Sequence, residues 1–198
     1  MPFQLVAGHP ALDLVNTLDN RFRETGPEEL LGSYDDLLRF TCQSGLLSER
    51  QARNLERLQA SDAERAEVLK QAKELRETLA AIVYAQLDQK KIPAAALLAL
   101  EKYFKQAESH RQLAADQLQV SWNWPAFDCE IAAPIWLLAQ TAADFLLSHR
   151  LPQLRSCASG TCRWLFVDTS KNHTRRWCDM KICGNRMKAR RYQARQAE

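Results

Sequence analysis

Four of the six cysteines lie close together in the last quarter of the sequence, in two pairs with the same spacing. Cys157 and Cys162 form the first pair, and Cys178 and Cys183 form the second pair after fifteen intervening residues. Thiolates suit Zn²⁺ in structural sites, and two pairs of them can close a tetrahedron around one ion. Because four sulfurs leave no coordination position open for a substrate, the pattern predicts one structural zinc rather than a catalytic one.

The spacing within each pair leaves an alternative, because four residues separate the cysteines where most zinc pairs have two. A disulfide or a redox pair could also use this spacing. Disulfide frameworks, however, are usually spread through a secreted chain, whereas these four cysteines are clustered. The other two, Cys42 and Cys129, are isolated in sequence, and we expect both to be small buried apolar residues. The cysteines therefore favour zinc and a reducing, cytoplasmic location.

The residues around the cysteines predict a small zinc module. Residues 163–167 are typical of a strand that leaves the first pair, residues 168–172 of its turn, and a basic helix follows Cys183. A knuckle, a hairpin and a helix in this order outline a treble-clef finger. The 48 residues from 151 to 198 have too little core to be secure alone, so we expect zinc to supply on the order of 10 kcal/mol of folding free energy.

Helical periodicity dominates the first 150 residues, which must position this module. Helices are predicted to begin near Pro10, Ser33, Ser48, Asp62, Pro93 and Ile131. Residues 117–127 alternate between apolar and polar and predict half of a small hairpin with residues near Leu113. Pro152 ends the last helix and predicts a boundary between domains at residues 1–150 and 151–198. The predicted fold is mainly α with a small β-hairpin, followed by a treble-clef-like zinc finger.

Two segments of the chain resemble known families. The strings CASGTCRWLFVDTSKN and RRWCDMKICGNRMKARR closely resemble the CGNR zinc finger. The string GHPALDLVNT, at residues 8–17, resembles the start of the ABATE domain, which precedes that finger in a family described as stress-induced transcription regulators. The resemblance covers nearly the whole chain. It implies a mostly helical N-terminal domain with a small β-hairpin, four cysteine zinc ligands and a DNA-binding role.

Charge is distributed unevenly between the two predicted domains. Residues 1–150 contain 16 Lys and Arg against 21 Asp and Glu, whereas residues 151–198 contain 11 against 3. An acidic body of net charge −5 therefore carries a segment of net charge +8. Such asymmetry points to a polyanion, most often nucleic acid, as the partner of the basic part. The alternative is that the cations only solvate a terminal helix or form an interaction tail.

The cations that would contact nucleic acid follow from a helical wheel of residues 184–196. Lys188, Arg191 and Arg195 share one stripe, which is free to contact phosphates. Two arginines just before Cys178 could extend this stripe. The predicted nucleic-acid-binding residues are thus Arg175, Arg176, Lys188, Arg191 and Arg195.

Other residues of the module are expected to face inward. Met187 and Arg190 lie on the side of the helix that should turn toward zinc. Phe166 and Trp177 are expected to form the core of the finger, which has few other large apolar residues. Trp164 remains open between a core position and a platform on which a base could stack.

Polar residues cluster at the start of the first predicted helix. Several of them are three or four residues apart and so share a side of that helix. They could form a pocket in which a small-molecule effector changes how the finger is presented. The alternative is that they satisfy local hydrogen bonds in a packed core, as buried polar groups normally do. The residues are His9, Asp13, Asn16, Thr17 and Arg21.

Catalysis and membrane insertion are both disfavoured by the sequence. It contains no nucleophile elbow and no phosphate-binding glycine loop, so we predict that the protein is not an enzyme. The most apolar segment, residues 131–147, is interrupted by Pro134 and Asp144 and is predicted to be a core helix, with no membrane partner. The leading hypothesis is a cytoplasmic DNA-binding transcription regulator of the stress response. The alternative is an adaptor whose zinc scaffolds an interface with protein or RNA.

Overall fold

The computed structural model of the chain describes residues 2–196, apart from the side chains of Arg191, Ala194 and Arg195. These residues form seven α-helices and three two-stranded antiparallel sheets. The helices are α1 (Pro10–Asn16), α2 (Tyr34–Gln43), α3 (Glu49–Glu56), α4 (Asp62–Leu87), α5 (Ala94–Ser109), α6 (Ala133–Leu147) and α7 (Asn185–Gln196). The strands are β1 (Leu18–Asp19), β2 (Glu28–Glu29), β3 (Gln112–Asp116), β4 (Gln119–Asn123), β5 (Leu154–Ser156) and β6 (Leu165–Val167). The helix content and the small sheets confirm the predicted mainly α fold with a small β-hairpin.

Serine capping boxes begin three consecutive helices. The side chains of Ser33, Ser48 and Ser61 each accept a hydrogen bond from the backbone N–H three residues later. In return, the side chain of that later residue accepts from the serine N–H, so two N–H groups that the helix leaves free are both satisfied. Gly45, at a φ of +76°, follows α2 in the left-handed conformation that glycine adopts without strain. These local signals confirm the predicted starts of α2 and α3.

The hairpin predicted near residues 113–127 is β3–β4, and one of its faces is apolar and exposed. Leu113 pairs with Trp122, and Ala115 pairs with Val120, so these side chains share a face. Leu113 and Trp122 are 66% and 53% exposed. The hairpin therefore projects from the helical body, and its apolar side does not contribute to the main core.

The main core crosses the predicted boundary at residue 150. Buried residues of α1, α4 and α6 share one cluster with Leu154, Leu165 and Val167 of the β5–β6 sheet. A second cluster contains the four clustered cysteines together with Trp164 and Phe166. Leu165 and Val167 of β6 therefore face the helical body, whereas Phe166 between them faces the cysteines. The C-terminal module packs directly against the body.

The β5–β6 sheet corrects the expected order of elements in the module. β6 was expected to be followed by a turn and a partner strand, but it pairs with β5, which precedes it. In the described chain, residues 168–179 form no strand. The buried carboxylate of Asp168 instead accepts hydrogen bonds from the backbone N–H groups of Ser170, at 2.9 Å, and Arg175, at 3.0 Å. These bonds organise residues 168–175 as a polar loop, which replaces the expected hairpin.

Candidate metal centre and basic surface

The four clustered cysteines converge on one point. Their sulfur atoms all lie within 4.8 Å of one another, and the Sγ atoms of Cys162 and Cys178 are 3.7 Å apart. A tetrahedral zinc site with Zn–S bonds of about 2.3 Å has S···S edges of about 3.8 Å. A disulfide would need a separation of about 2.05 Å, and all six cysteines are free. The donor set therefore fits one structural zinc ion, and the geometry excludes the disulfide alternative.

Contacts within the cluster favour a thiolate at Cys157, whereas the pKa values of the other three thiols lie above the usual range. The first pair lies at the tip of the β5–β6 hairpin, where the Cys157 N–H donates to the Trp164 carbonyl at 2.8 Å. Hydrogen bonds from the Cys162 and Cys178 thiols lower the pKa of the Cys157 thiol to about 2, with further bonds from backbone N–H groups. Because Cys162 donates to that thiolate, its own pKa lies above the usual range. A bound zinc ion would supply the positive charge that keeps all four sulfurs deprotonated.

The two remaining cysteines lie outside this cluster, but neither is fully buried. Cys42 is half-buried and Cys129 is exposed. The expectation that both are buried apolar residues is therefore wrong. Cys129 ends a short 3₁₀ turn, Phe127–Cys129, in which Phe127 takes the core position instead.

Aromatic residues of the module pack against the cysteines. Phe166 is fully buried, Trp164 is 7% exposed, and the half-buried Trp177 packs against the same cluster. This placement confirms the core positions expected for Phe166 and Trp177. It also settles the position of Trp164, whose ring faces are not available for a base to stack on.

Arg175 has an internal role, which corrects its expected place on the nucleic-acid surface. Its guanidinium donates to the carbonyls of Val6, at 3.1 Å, and Cys178, and its Nε donates to the Trp177 carbonyl at 3.0 Å. The same group lies 4.2 Å from the centre of the Phe166 ring. Only a side chain with several donors in a rigid fork can satisfy three carbonyls at once. Arg175 therefore ties the second cysteine pair to the N-terminal segment.

The exposed cations of the module form a surface along α7 and the loop before it. Arg176, Lys188 and Arg190 are exposed, and the Arg176 guanidinium lies 5.6 Å from the centre of the Trp177 ring. Among the described residues, the salt bridges of the module involve only Arg163, so these three cations have no acidic partner within 4 Å. The side chains of Arg191 and Arg195, which were also predicted to bind phosphates, lie outside the described part of the structure.

Arg190 does not face zinc as expected. A π-helical turn, Met180–Gly184, precedes α7, and Cys183 lies inside it. Cys183 is buried and Met187 is half-buried, while Arg190 is exposed. The exposed basic surface is therefore broader than the predicted stripe.

The N-terminal polar cluster joins the helical body to the zinc module. The side-chain amide of the buried Asn16 donates to the Leu165 carbonyl at 2.9 Å, and its carbonyl oxygen accepts from the Leu165 N–H at 2.8 Å. The Asp13 carboxylate accepts from the Ala7 N–H at 3.0 Å, and the Ala7 carbonyl accepts from the Val167 N–H at 2.8 Å. Both ends of β6 are thus hydrogen-bonded to the N-terminal region.

The other three residues of the cluster also make internal contacts. His9 caps α1 by accepting from the Ala11 N–H, and burial lowers the pKa of its imidazole, with Arg150 adding to the effect. Thr17 donates to the Leu14 carbonyl at 2.7 Å, and Arg21 pairs with Glu77. Most of these polar groups are hydrogen-bonded within the protein, and the contacts of Asp13 and Asn16 form a structural joint between the body and the zinc module.

Sequence reasoning missed a second contact between body and module. Arg163, in the left-handed conformation at a φ of 47°, directly follows the second zinc ligand. Its guanidinium donates to Asp88 at 2.9 Å and lies 4.6 Å from the centre of the Phe22 ring. The Tyr84 hydroxyl donates to the Arg163 carbonyl at 3.0 Å. No local sequence pattern indicates this contact, because Asp88 lies 75 residues away in the sequence.

Two family models match the chain. ABATE, described as "Putative stress-induced transcription regulator", matches residues 8–149, and the CGNR zinc finger matches residues 153–196. Both matches confirm the resemblances seen in the sequence, and both descriptions name regulator or zinc-finger types rather than enzymes. None of the curated proteins compared with the chain matches it. No helix among the described residues combines the length and apolar character needed to cross a membrane.

Proposed function

Because the chain belongs to the ABATE family and ends in a CGNR zinc finger, we propose that it is a DNA-binding transcription regulator whose basic helix α7 contacts the phosphates of duplex DNA. The observation that carries this proposal is the charge separation. A module of net charge +8 is attached to a body of net charge −5. The body would repel a polyanion, so DNA would approach from the side of the module.

The contacts within the module support this use of α7. Arg155, Arg163 and Arg175 hydrogen-bond to the protein itself. Lys188 and Arg190 are exposed and have no acidic partner among the described residues. An exposed lysine or arginine without a partner gains most from a phosphate, because neither an ion pair nor a buried environment must be given up.

Zinc would set the direction of α7. The last ligand, Cys183, lies two residues before the helix begins at Asn185. The metal would therefore fix the start of the helix relative to the β5–β6 hairpin, which Asn16 in turn holds against the body. In a stress-induced regulator, a change in the body would reach α7 by this route.

The salt dependence of DNA affinity tests the proposal. Each phosphate contact in duplex DNA contributes about −0.9 to the slope of log affinity against log salt concentration. We expect the variant K188Q/R191Q/R195Q to have a slope less steep by about 2–3 than the wild type. It should lose affinity about equally for different sequences, because phosphate contacts do not read bases. The measurement is fluorescence anisotropy with labelled duplexes at several salt concentrations, with the zinc content of each protein checked.

A variant with the same loss of charge in the body provides the control. This control is K91Q/K102Q/K105Q, which replaces three exposed lysines of the body and changes the net charge by the same amount. We expect its slope of log affinity against log salt concentration to equal that of the wild type within error. An unchanged slope for the folded, zinc-loaded α7 variant would remove α7 from the DNA interface. No binding of duplex DNA by the wild type, or tighter binding of a single-stranded RNA, would favour the adaptor function instead.

A further inference from the structure

The β3–β4 hairpin is exposed on both of its faces. Nine of the ten residues in its two strands are exposed, and the tenth, Ala114, is half-buried. Among the described residues, β4 pairs with β3 and with no other strand. A two-stranded hairpin is only marginally stable in water, whereas a sheet of three or more strands with an apolar face is stable. The hairpin therefore lacks the neighbouring strands that would stabilise it.

The outer edge of β4 is open to another strand. Only two residues separate the strands, so Asp116 and Gln119, which flank this loop, form a hydrogen-bonded pair. Such pairs alternate along an antiparallel ladder, so the backbone N–H and carbonyl groups of Val120 and Trp122 point away from β3. Natural proteins protect exposed edges with lysine or proline. Residues 112–123 contain neither, and their one charged residue, Asp116, lies on β3, so the edge of β4 is unprotected.

The sequence of β4 is complementary to itself when two copies run antiparallel. If Ser121 lies opposite Ser121 of a second copy, Val120 lies opposite Trp122 of that copy. Gln119 then lies opposite Asn123. In this register, the residues that would exchange backbone hydrogen bonds are Val120 and Trp122, whose backbone groups point outward. A β-branched residue opposite an aromatic one stabilises a sheet, and no two charges of the same sign meet.

The same register would join the apolar faces of the two hairpins. Within one hairpin, Leu113 pairs with Trp122 and Ala115 pairs with Val120. Across the new contact, the row formed by Leu113 and Trp122 would continue into Val120 and Ala115 of the second copy. The Arg111 guanidinium already lies 4.3 Å from the centre of the Trp122 ring, so this side chain would lose less freedom on pairing. Side chains that are exposed in one copy would thus shield each other in two.

We propose that two copies of the chain pair through the edges of β4 and form a four-stranded antiparallel sheet. The two-fold axis would pass beside Ser121, which gives a closed dimer, the commonest form of assembly. Nucleic acid does not suit this surface, because the two strands carry no cation. The contact is small, so the dimer should form in the micromolar range. The proposal does not depend on DNA binding.

Sedimentation equilibrium of the zinc-loaded, full-length protein tests this dimer. We expect a monomer–dimer equilibrium with a Kd between about 1 and 100 µM. Ser121→Lys would place two lysines opposite each other at the axis, where like charges destabilise a sheet. It should raise the Kd at least about fivefold, and Ser121→Glu should do so for the same reason. A mixture of the two variants should restore the dimer, because lysine then lies opposite glutamate.

Gln112→Lys is the matched control for the added charge. Gln112 is exposed on β3, away from the edge that pairs, so this variant should have the Kd of the wild type. A wild type that stays monomeric up to about 500 µM would overturn the proposal, and a hairpin that binds a different protein would give that result. A Ser121→Lys dimer as tight as the wild type would also overturn it, as would a mixture of the two Ser121 variants that associates no better than either variant alone.

Discussion

Asn16 provides the most direct test of how the body holds the zinc module. Its side-chain amide forms two hydrogen bonds with the backbone of Leu165, which is fully buried. In Asn16→Ala, the N–H and the carbonyl of Leu165 would both lose their partner. Each unsatisfied buried group costs about 1–3 kcal/mol. Since water that enters the vacated space would recover part of this, we expect the free energy of unfolding to fall by about 2–4 kcal/mol.

Thermal unfolding in the presence of excess zinc measures this loss. In a protein of 198 residues, 1 kcal/mol changes the Tm by about 2–4 °C, so a loss near 3 kcal/mol corresponds to about 6–12 °C. Hydrogen exchange adds a local reading, because the Leu165 amide should lose protection more than the amides of α4. Asn172→Ala is the matched control, because Asn172 is exposed in the same module. We expect it to change stability by less than about 0.5 kcal/mol.

Two results would refute this account of the joint. One is a Tm for Asn16→Ala equal to that of Asn172→Ala. The other is an unchanged exchange rate for the Leu165 amide, which would show that another group satisfies it. Asn16→Asp gives an independent check, because a carboxylate cannot donate to the Leu165 carbonyl. It should be at least as destabilising as Asn16→Ala at neutral pH and should recover at lower pH, where the protonated acid can donate.

Three further predictions concern the metal, the buried acid and the internal arginine. Replacing any one zinc ligand with serine should abolish stoichiometric zinc binding, as measured by metal analysis, whereas Cys129→Ala should retain it. The ligands are Cys157, Cys162, Cys178 and Cys183. Burial raises the pKa of Asp13 from 3.8 to about 7, so stability is full below about pH 4 and is lost progressively as the pH rises from about 4 to 7. Asp13→Asn should match the wild type near pH 3.5 and exceed it above pH 8 by up to about 4 kcal/mol in urea unfolding. An equal difference between the two proteins at both pH values would contradict this. Arg175→Gln should lower the free energy of unfolding by about 2 kcal/mol without changing the slope of log DNA affinity against log salt concentration. If the variant were as stable as the wild type but had a less steep slope, Arg175 would instead contact DNA.

Local features of the chain were predictable from the sequence. The capping boxes at Ser33 and Ser48 connect residues only three apart, so their hydrogen bonds depend on local backbone geometry. The zinc site was also predictable from the paired cysteines, because a structural zinc ion takes four such ligands and the chain between the pairs can follow many paths. The charge difference between the two parts is a property of composition and needs no structure.

Tertiary structure decided the role of each polar residue that those local patterns left open. Asn16 and Leu165 are 149 residues apart, and Arg163 and Asp88 are 75 residues apart. The sequence alone identified Asn16 as a polar residue on a helix, which suits either a ligand pocket or a structural hydrogen bond. Its role was determined only when β6 packed against α1. Arg190 likewise lies on the exposed surface, because only the packing of α7 decides which of its residues contact the cysteine cluster.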